Sequence, residues 1–165
     1  MPELGSNSEL DDAPPAAPMQ ELPTRERRKN SRPLKGRVRF VGFKLDRLQT
    51  GECRARVALA GPDGERFEAK ARGLASQAGE LRCAAQAALQ ALTQAVPSPA
   101  FDLVGVKAIR AFDATVVICS LSLRGDASRP RVVGSCLTES EPPRGAALAV
   151  LNATNRLLSR RDSGQ

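Results

Sequence analysis

Apolar and polar residues along this chain alternate with a period of two over three segments, shift to a period near 3.6, and then repeat the whole programme. In the first round Val38, Phe40, Phe43 and Leu45 flank Gly42, where the alternation changes phase as it does at a strand bulge. Cys53, Ala55, Val57 and Leu59 then alternate with Arg54, Arg56, Ala58 and Ala60, the pattern of a strand with one buried face. Gly61-Pro62-Asp63-Gly64 reads as a tight turn, because proline presets the first central dihedral and Asp-Gly tolerates the next. A third strand follows, with Phe67, Ala69 and Ala71 on one face and Arg66, Glu68, Lys70 and Arg72 on the other.

Helical spacing takes over in residues 79–96, where Leu81, Ala84, Ala85, Ala88, Leu89, Leu92 and Val96 form one stripe. Ser76 is the expected cap, and Pro97 and Pro99 end the helix.

The second round starts where Val41-Gly42-Phe43-Lys44 returns as Val104-Gly105-Val106-Lys107. Strands are predicted over 101–111, 115–123 and 131–137, and a closing helix over about 143–160. Val117, Cys119, Leu121 and Leu123 share one side of the middle strand, with Val116 and Ile118 on the other, so burial on both faces is expected over part of its length. The closing helix directs Ala147, Val150, Leu151, Thr154, Leu157 and Leu158 to the core. The predicted fold class is therefore α+β: a duplicated strand-strand-strand-helix unit, antiparallel sheets with helices packed on one face, the repeats spanning 37–97 and 100–160 of a single domain at 37–160.

Composition changes the picture mainly at the N-terminus. Residues 1–24 hold five acids and no base, whereas residues 25–39 hold eight bases and one acid. With its prolines and few large hydrophobes, the stretch 1–36 is expected to be a disordered tail, acidic and then basic, and 161–165 a second short tail. No apolar run is long enough to span a bilayer and no leader pattern opens the chain, which points to a cytoplasmic protein without membrane insertion.

Chemistry is constrained from the other side. The chain has no histidine, and its four cysteines, Cys53, Cys83, Cys119 and Cys136, form no C-x-x-C pair, so Ser-His and Cys-His nucleophilic sites are excluded and zinc spacing is poor. The thiols read instead as small buried side chains, Cys83 on the helix and the others in strands. Neither a phosphate loop nor a pair of carboxylates at acid-base spacing stands out, and the expectation is a non-catalytic protein with no metal and no cofactor.

Residues Val132 to Leu158, and most closely Leu151-Asn152-Ala153-Thr154-Asn155-Arg156-Leu157-Leu158, resemble the C-terminal regulatory domain of 2-isopropylmalate synthase. The resemblance implies two copies of a three-strand, one-helix unit, a homodimer, and a small-molecule ligand such as the amino acid leucine. It does not extend to the catalytic barrel of that family, and no catalytic residue is carried over. Between the first two strands of the second unit the family has a glycine-rich acidic loop; here Arg110-Ala111-Phe112-Asp113-Ala114-Thr115 is shorter and lacks glycine.

Two functions follow. The first is a regulatory or assembly module that dimerises and binds a small ligand at the seam between the repeats, with Phe112, Asp113 and Ala114 from the turn and Ser76, Gln77, Thr138, Glu139 and Ser140 from the helix starts as candidate lining. The alternative is nucleic-acid binding through a basic arm, Arg25, Arg27, Arg28, Lys29 and Arg32, and a basic sheet face, Arg54, Arg56, Lys70 and Arg72. Without Trp or Tyr, such binding would rest on phosphate contacts rather than base stacking.

Overall fold

The computed structural model describes residues 37–125, 128 and 131–161; the predicted N-terminal tail, 1–36, and its basic arm therefore lie outside the described residues. The elements run β1 (Arg39–Arg47), β2 (Glu52–Ala60), β3 (Arg66–Leu74), α1 (Gln77–Ala95), β4 (Phe101–Ala111), β5 (Ala114–Leu123), β6 (Val132–Thr138) and α2 (Pro142–Arg161). Two antiparallel sheets result, one ordered β1-β2-β3 and the other β4-β5-β6. Each is followed by its helix, so the fold is α+β and built from two similar sheet-helix units.

The duplication extends to a shared irregularity. Register slips between Phe40 and Gly42 in β1 and between Leu103 and Gly105 in β4, which leaves Val41 and Val104 as the extra residues of two matching bulges. Aligning the bulges makes Gly42 opposite Ala58 the counterpart of Gly105 opposite Ser120. By the same alignment Ala69, opposite Val57, corresponds to Gly134, opposite Cys119.

Helix packing crosses between the units. α1 rests on β2 and β3 of its own sheet and also on β4, while α2 rests on β5 and β6 and against β1, and the two helices pack on each other. The helix pair thus forms a middle layer between the two sheets. This explains a difference from the sequence pattern: besides the expected stripe, Cys83, Ala87, Ala91 and Ala95 of α1 are buried too. At 100° per residue the buried positions cover roughly two thirds of the helix circumference, one flank for each layer. Alanine suits that position because a slim surface admits two neighbours at once.

Close approach is sharpest at two glycines. A Cβ on Gly134 would stand 2.1 Å from the Ala149 carbonyl oxygen and 2.6 Å from the Ala153 nitrogen, so α2 lies directly against the β6 backbone. A Cβ on Gly79 would stand 2.2 Å from the Leu74 carbonyl oxygen, where the chain folds from β3 into α1.

The segment 151–158 of α2 is occupied with holding this helix in place. Asn155 is buried, accepts from the Val38 N–H at 3.2 Å and donates to the Val38 carbonyl at 3.0 Å, satisfying the backbone ahead of β1 from the other unit. Asn152 donates to the Ser135 carbonyl at 2.9 Å, and the Thr154 hydroxyl donates within the helix to Val150 at 3.0 Å.

Several expectations shift in detail. Val116 and Ile118 are only half-buried, because nothing described covers the outer face of the second sheet. Val96 caps α1 rather than continuing its stripe, and Leu157 and Leu158 are half-buried near the end of α2. Cys53, Cys83 and Cys119 are buried as small core residues, while Cys136 is half-buried.

Candidate ligand cleft and charged sheet face

Where α2 leans on β1, the starts of both helices come together around an open cleft of about 720 Å³. Phe43, Lys44, Leu45 and Arg47 reach it from β1, Gln77, Glu80 and Leu81 from α1, and Ser140, Glu141, Pro142 and Pro143 from the start of α2. Arg144, one residue further on, lies over the Phe40 ring with its guanidinium carbon 5.4 Å from the centroid, adding a cation–π contact that seats α2 on β1.

The central polar feature is a two-pronged ion pair. Arg47 donates through Nε to one oxygen of Glu80 and through Nη2 to the other, the latter at 3.0 Å. Glu80 is only 6 % exposed, and hydrogen bonding to Arg47 holds its carboxyl below the ordinary glutamate range despite that burial. The pair ties the end of β1 to the first turn of α1. Lys44 is partnered by Asp46 at 3.1 Å, with both side chains exposed.

The expected lining residues divide into two groups. Gln77 and Ser140 do line the cleft. Ser76 accepts from the Gly79 N–H at 3.1 Å and caps α1, whereas Thr138 accepts from the Glu141 N–H at 3.2 Å within the turn ahead of α2. Phe112, Asp113 and Ala114 are not among the residues lining the cleft; Phe112 is 100 % exposed and holds φ 56°, in the left-handed region that a non-glycine residue rarely adopts. Glu139 is exposed in the same turn as Thr138 and outside the lining.

Donors at the two helix starts differ. Pro142 and Pro143 have no N–H, which weakens α2 as an anion site, whereas at α1 the Gln77 and Ala78 N–H groups stand ahead of the capped Gly79. Sequence reasoning missed Phe43, Leu45, Arg47, Glu80 and Leu81. An Arg and a Glu separated by a whole hairpin carry no periodic signal, and only the crossed packing of α2 on β1 brings the second helix to them.

The outer faces of the two sheets differ in kind. Across the first, the strand register stacks Asp46–Arg54–Arg72, Lys44–Arg56–Lys70, Gly42–Ala58–Glu68 and Arg39–Ala60–Arg66. The four sheet residues expected from the sequence, Arg54, Arg56, Lys70 and Arg72, are thus adjacent, and Lys44, Arg39 and Arg66 join them. Arg56 pairs with Glu68 at 3.3 Å, and Arg54 keeps a buried Nε with no partner. The arm residues Arg25, Arg27, Arg28, Lys29 and Arg32 lie outside the described residues. Across the second sheet the rows Ile109–Val116–Leu137 and Lys107–Ile118–Ser135 are followed by Gly105–Ser120–Val133, a largely apolar surface on which Leu137 is 65 % and Val133 54 % exposed.

Among the described residues there is no cluster of three or more His, Cys, Asp or Glu able to hold a metal ion, and no helix long and apolar enough to cross a membrane. No family model matches the chain, and no curated protein matches it significantly.

Proposed function

We propose that this protein is a non-catalytic regulatory or assembly module that binds a small amino-acid-like ligand in the cleft between its repeats and pairs with a second copy through the second sheet. The carrying observation is the cleft itself, lined by both units and combining opposite charges with an apolar wall. The N–H groups at the start of α1 suit a carboxylate, Glu141 suits an ammonium group because Glu80 is committed to Arg47, and Phe43, Leu45 and Leu81 suit an apolar side chain. A ligand held this way contacts both repeats and so biases how they sit together.

The second copy is the occupant that fits the apolar sheet face. Lys107, on the edge strand, is the one charge in that face's three rows, so the face's own image is a compatible partner, whereas the basic face of the first sheet repels itself. Strands of ten residues at about 3.3 Å per residue, three abreast at about 4.8 Å, give a footprint on the order of 450 Å² per copy. The total falls below the roughly 1,200–2,000 Å² of stable complexes, so the dimer should exchange at micromolar concentration.

A thermal-shift screen of the amino acids tests the cleft. A ligand at one hundred times its Kd adds about 2.7 kcal/mol to the folded state, which raises the melting temperature. Glu141→Gln should abolish the shift. No response to any amino acid at millimolar concentration sinks the ligand reading. For the pairing, light scattering should show mass rising with concentration, and Val133→Lys with Leu137→Lys should hold the chain monomeric; a concentration-independent monomer from the unaltered chain removes it.

A further inference from the structure

The outer face of the first sheet carries seven cations, Arg39, Lys44, Arg54, Arg56, Arg66, Lys70 and Arg72, against the carboxylates of Asp46, Glu52 and Glu68. Their arrangement runs against what a merely solvated face would adopt. Arg54 stands directly across from Arg72, and Arg56 directly across from Lys70. Like charges opposite each other on neighbouring strands destabilise a sheet, and alternating signs would have supported it. Ion pairs neutralise only part of the charge: Lys44 is held by Asp46 and Arg56 by Glu68, while Arg54, Arg66, Lys70 and Arg72 make no ion pair with a described residue. The apolar outer face of the other sheet shows that the fold does not require such charge.

We propose that this face binds the phosphate backbone of duplex nucleic acid. The strand register spaces the cations as a flat grid, about 4.8 Å between strands and about 6.7 Å between alternate residues, open to a polyanion lying across it. Phosphate contact without base recognition is the mode available, because no aromatic residue projects from these rows. An anionic membrane fits less well, since interfacial binders bury an apolar face beside their cations, and among these rows only Leu74, at the corner opposite Glu52, is apolar and larger than alanine. The sequence ahead of the sheet is basic as well: residues 25–39 contain eight bases, and the last of them, Arg39, is in the row with Ala60 and Arg66.

Fluorescence anisotropy of the full chain with short labelled DNA and RNA duplexes, over a salt series, tests the assignment. Arg66, Lys70 and Arg72 lie on exposed positions of β3, so Arg66→Gln/Lys70→Gln/Arg72→Gln should fold as the parent does. With about 0.9 in log-log salt slope per phosphate contact, the triple variant should flatten the slope by about 2.7 while the arm is intact, and Lys70→Gln alone by about 0.9. Lys107→Gln/Arg110→Gln, on the other sheet, should leave it unchanged. Absence of binding at low salt overturns the proposal, as does a slope that the triple variant leaves intact, which assigns binding to the arm alone. An equal loss in the Lys107/Arg110 variant reduces the effect to net charge, and tighter capture by phosphatidylserine vesicles than by either duplex assigns the face to a membrane; both outcomes overturn it.

Discussion

Replacing Gly134 by alanine probes the closest approach in the fold, the point where α2 is seated on β6. The new methyl group would stand 2.1 Å from the Ala149 carbonyl oxygen, 2.6 Å from the Ala153 nitrogen and 2.7 Å from the Ala153 Cβ. Ordinary carbon–oxygen contact begins near 3.5 Å, so relief requires the helix to lift by more than about 1 Å. Two of the three obstructing atoms are backbone, so no rotamer change can absorb the strain. Overpacking of this kind costs about 1–3 kcal/mol, and lifting α2 also loosens the Asn155 bonds to Val38 and the helix start at the cleft. The opposing gain, from a stiffer unfolded chain, is only about 0.4–1 kcal/mol. A net loss near 2 kcal/mol should lower the melting temperature by about 8 °C for a domain of this length. Gly105→Ala is the control, because a Cβ there meets nothing within 4 Å and stability should stay level or rise slightly. Circular-dichroism melts of both variants check the argument. A Gly134→Ala protein melting at or above the parent temperature would refute it and with it the tight seating of α2.

Three further outcomes follow from buried groups. Burial pushes the Cys83 and Cys119 thiols up to about 11, so they stay protonated at neutral pH; a thiol reagent should label Cys136 in the folded protein and reach Cys53, Cys83 and Cys119 only on unfolding, and fast labelling of more than one thiol contradicts the core. Asn155→Ala strips the Val38 N–H and carbonyl of their buried partner and should cost about 2–4 kcal/mol in urea titrations, with an unchanged midpoint counting against the cross-unit tie. The Glu80 carboxyl titrates below its ordinary value of about 4.5 because Arg47 bonds its ionised form, so it stabilises the fold above that value and the contribution is lost as pH falls through the lower, folded-state value; Glu80→Gln should flatten the acid limb of the melting profile below about pH 4.5, and an unaltered limb shows that other carboxylates control it.

Much of the architecture is written locally. The alternation from Cys53 to Leu59 and the Gly61–Gly64 turn define β2 and its hairpin, because strand period and turn dihedrals depend only on neighbouring residues. The repeated Val-Gly pair marks both bulges, and Ser76 caps α1 where the sequence places it. Adjacent cations on β2 and β3 were legible for the same reason: once a hairpin is recognised, its register sets which side chains stand across from one another. The sequence by itself thus determined the elements, the duplication and the basic face.

What it left open was how the two units meet. Crossing of α2 onto β1 depends on shape and burial between segments more than a hundred residues apart, as with Val38 and Asn155, and no periodicity records such a match. That crossing turns the helix starts toward each other, creates the cleft around Phe43, Arg47, Glu80 and Ser140, and leaves the Phe112 turn outside it. It also buries two flanks of α1, so that its alanines serve as spacing between two sheets. Tertiary structure decided the site because side chains from three elements converge only once the apolar flanks of both helices have found their common layer.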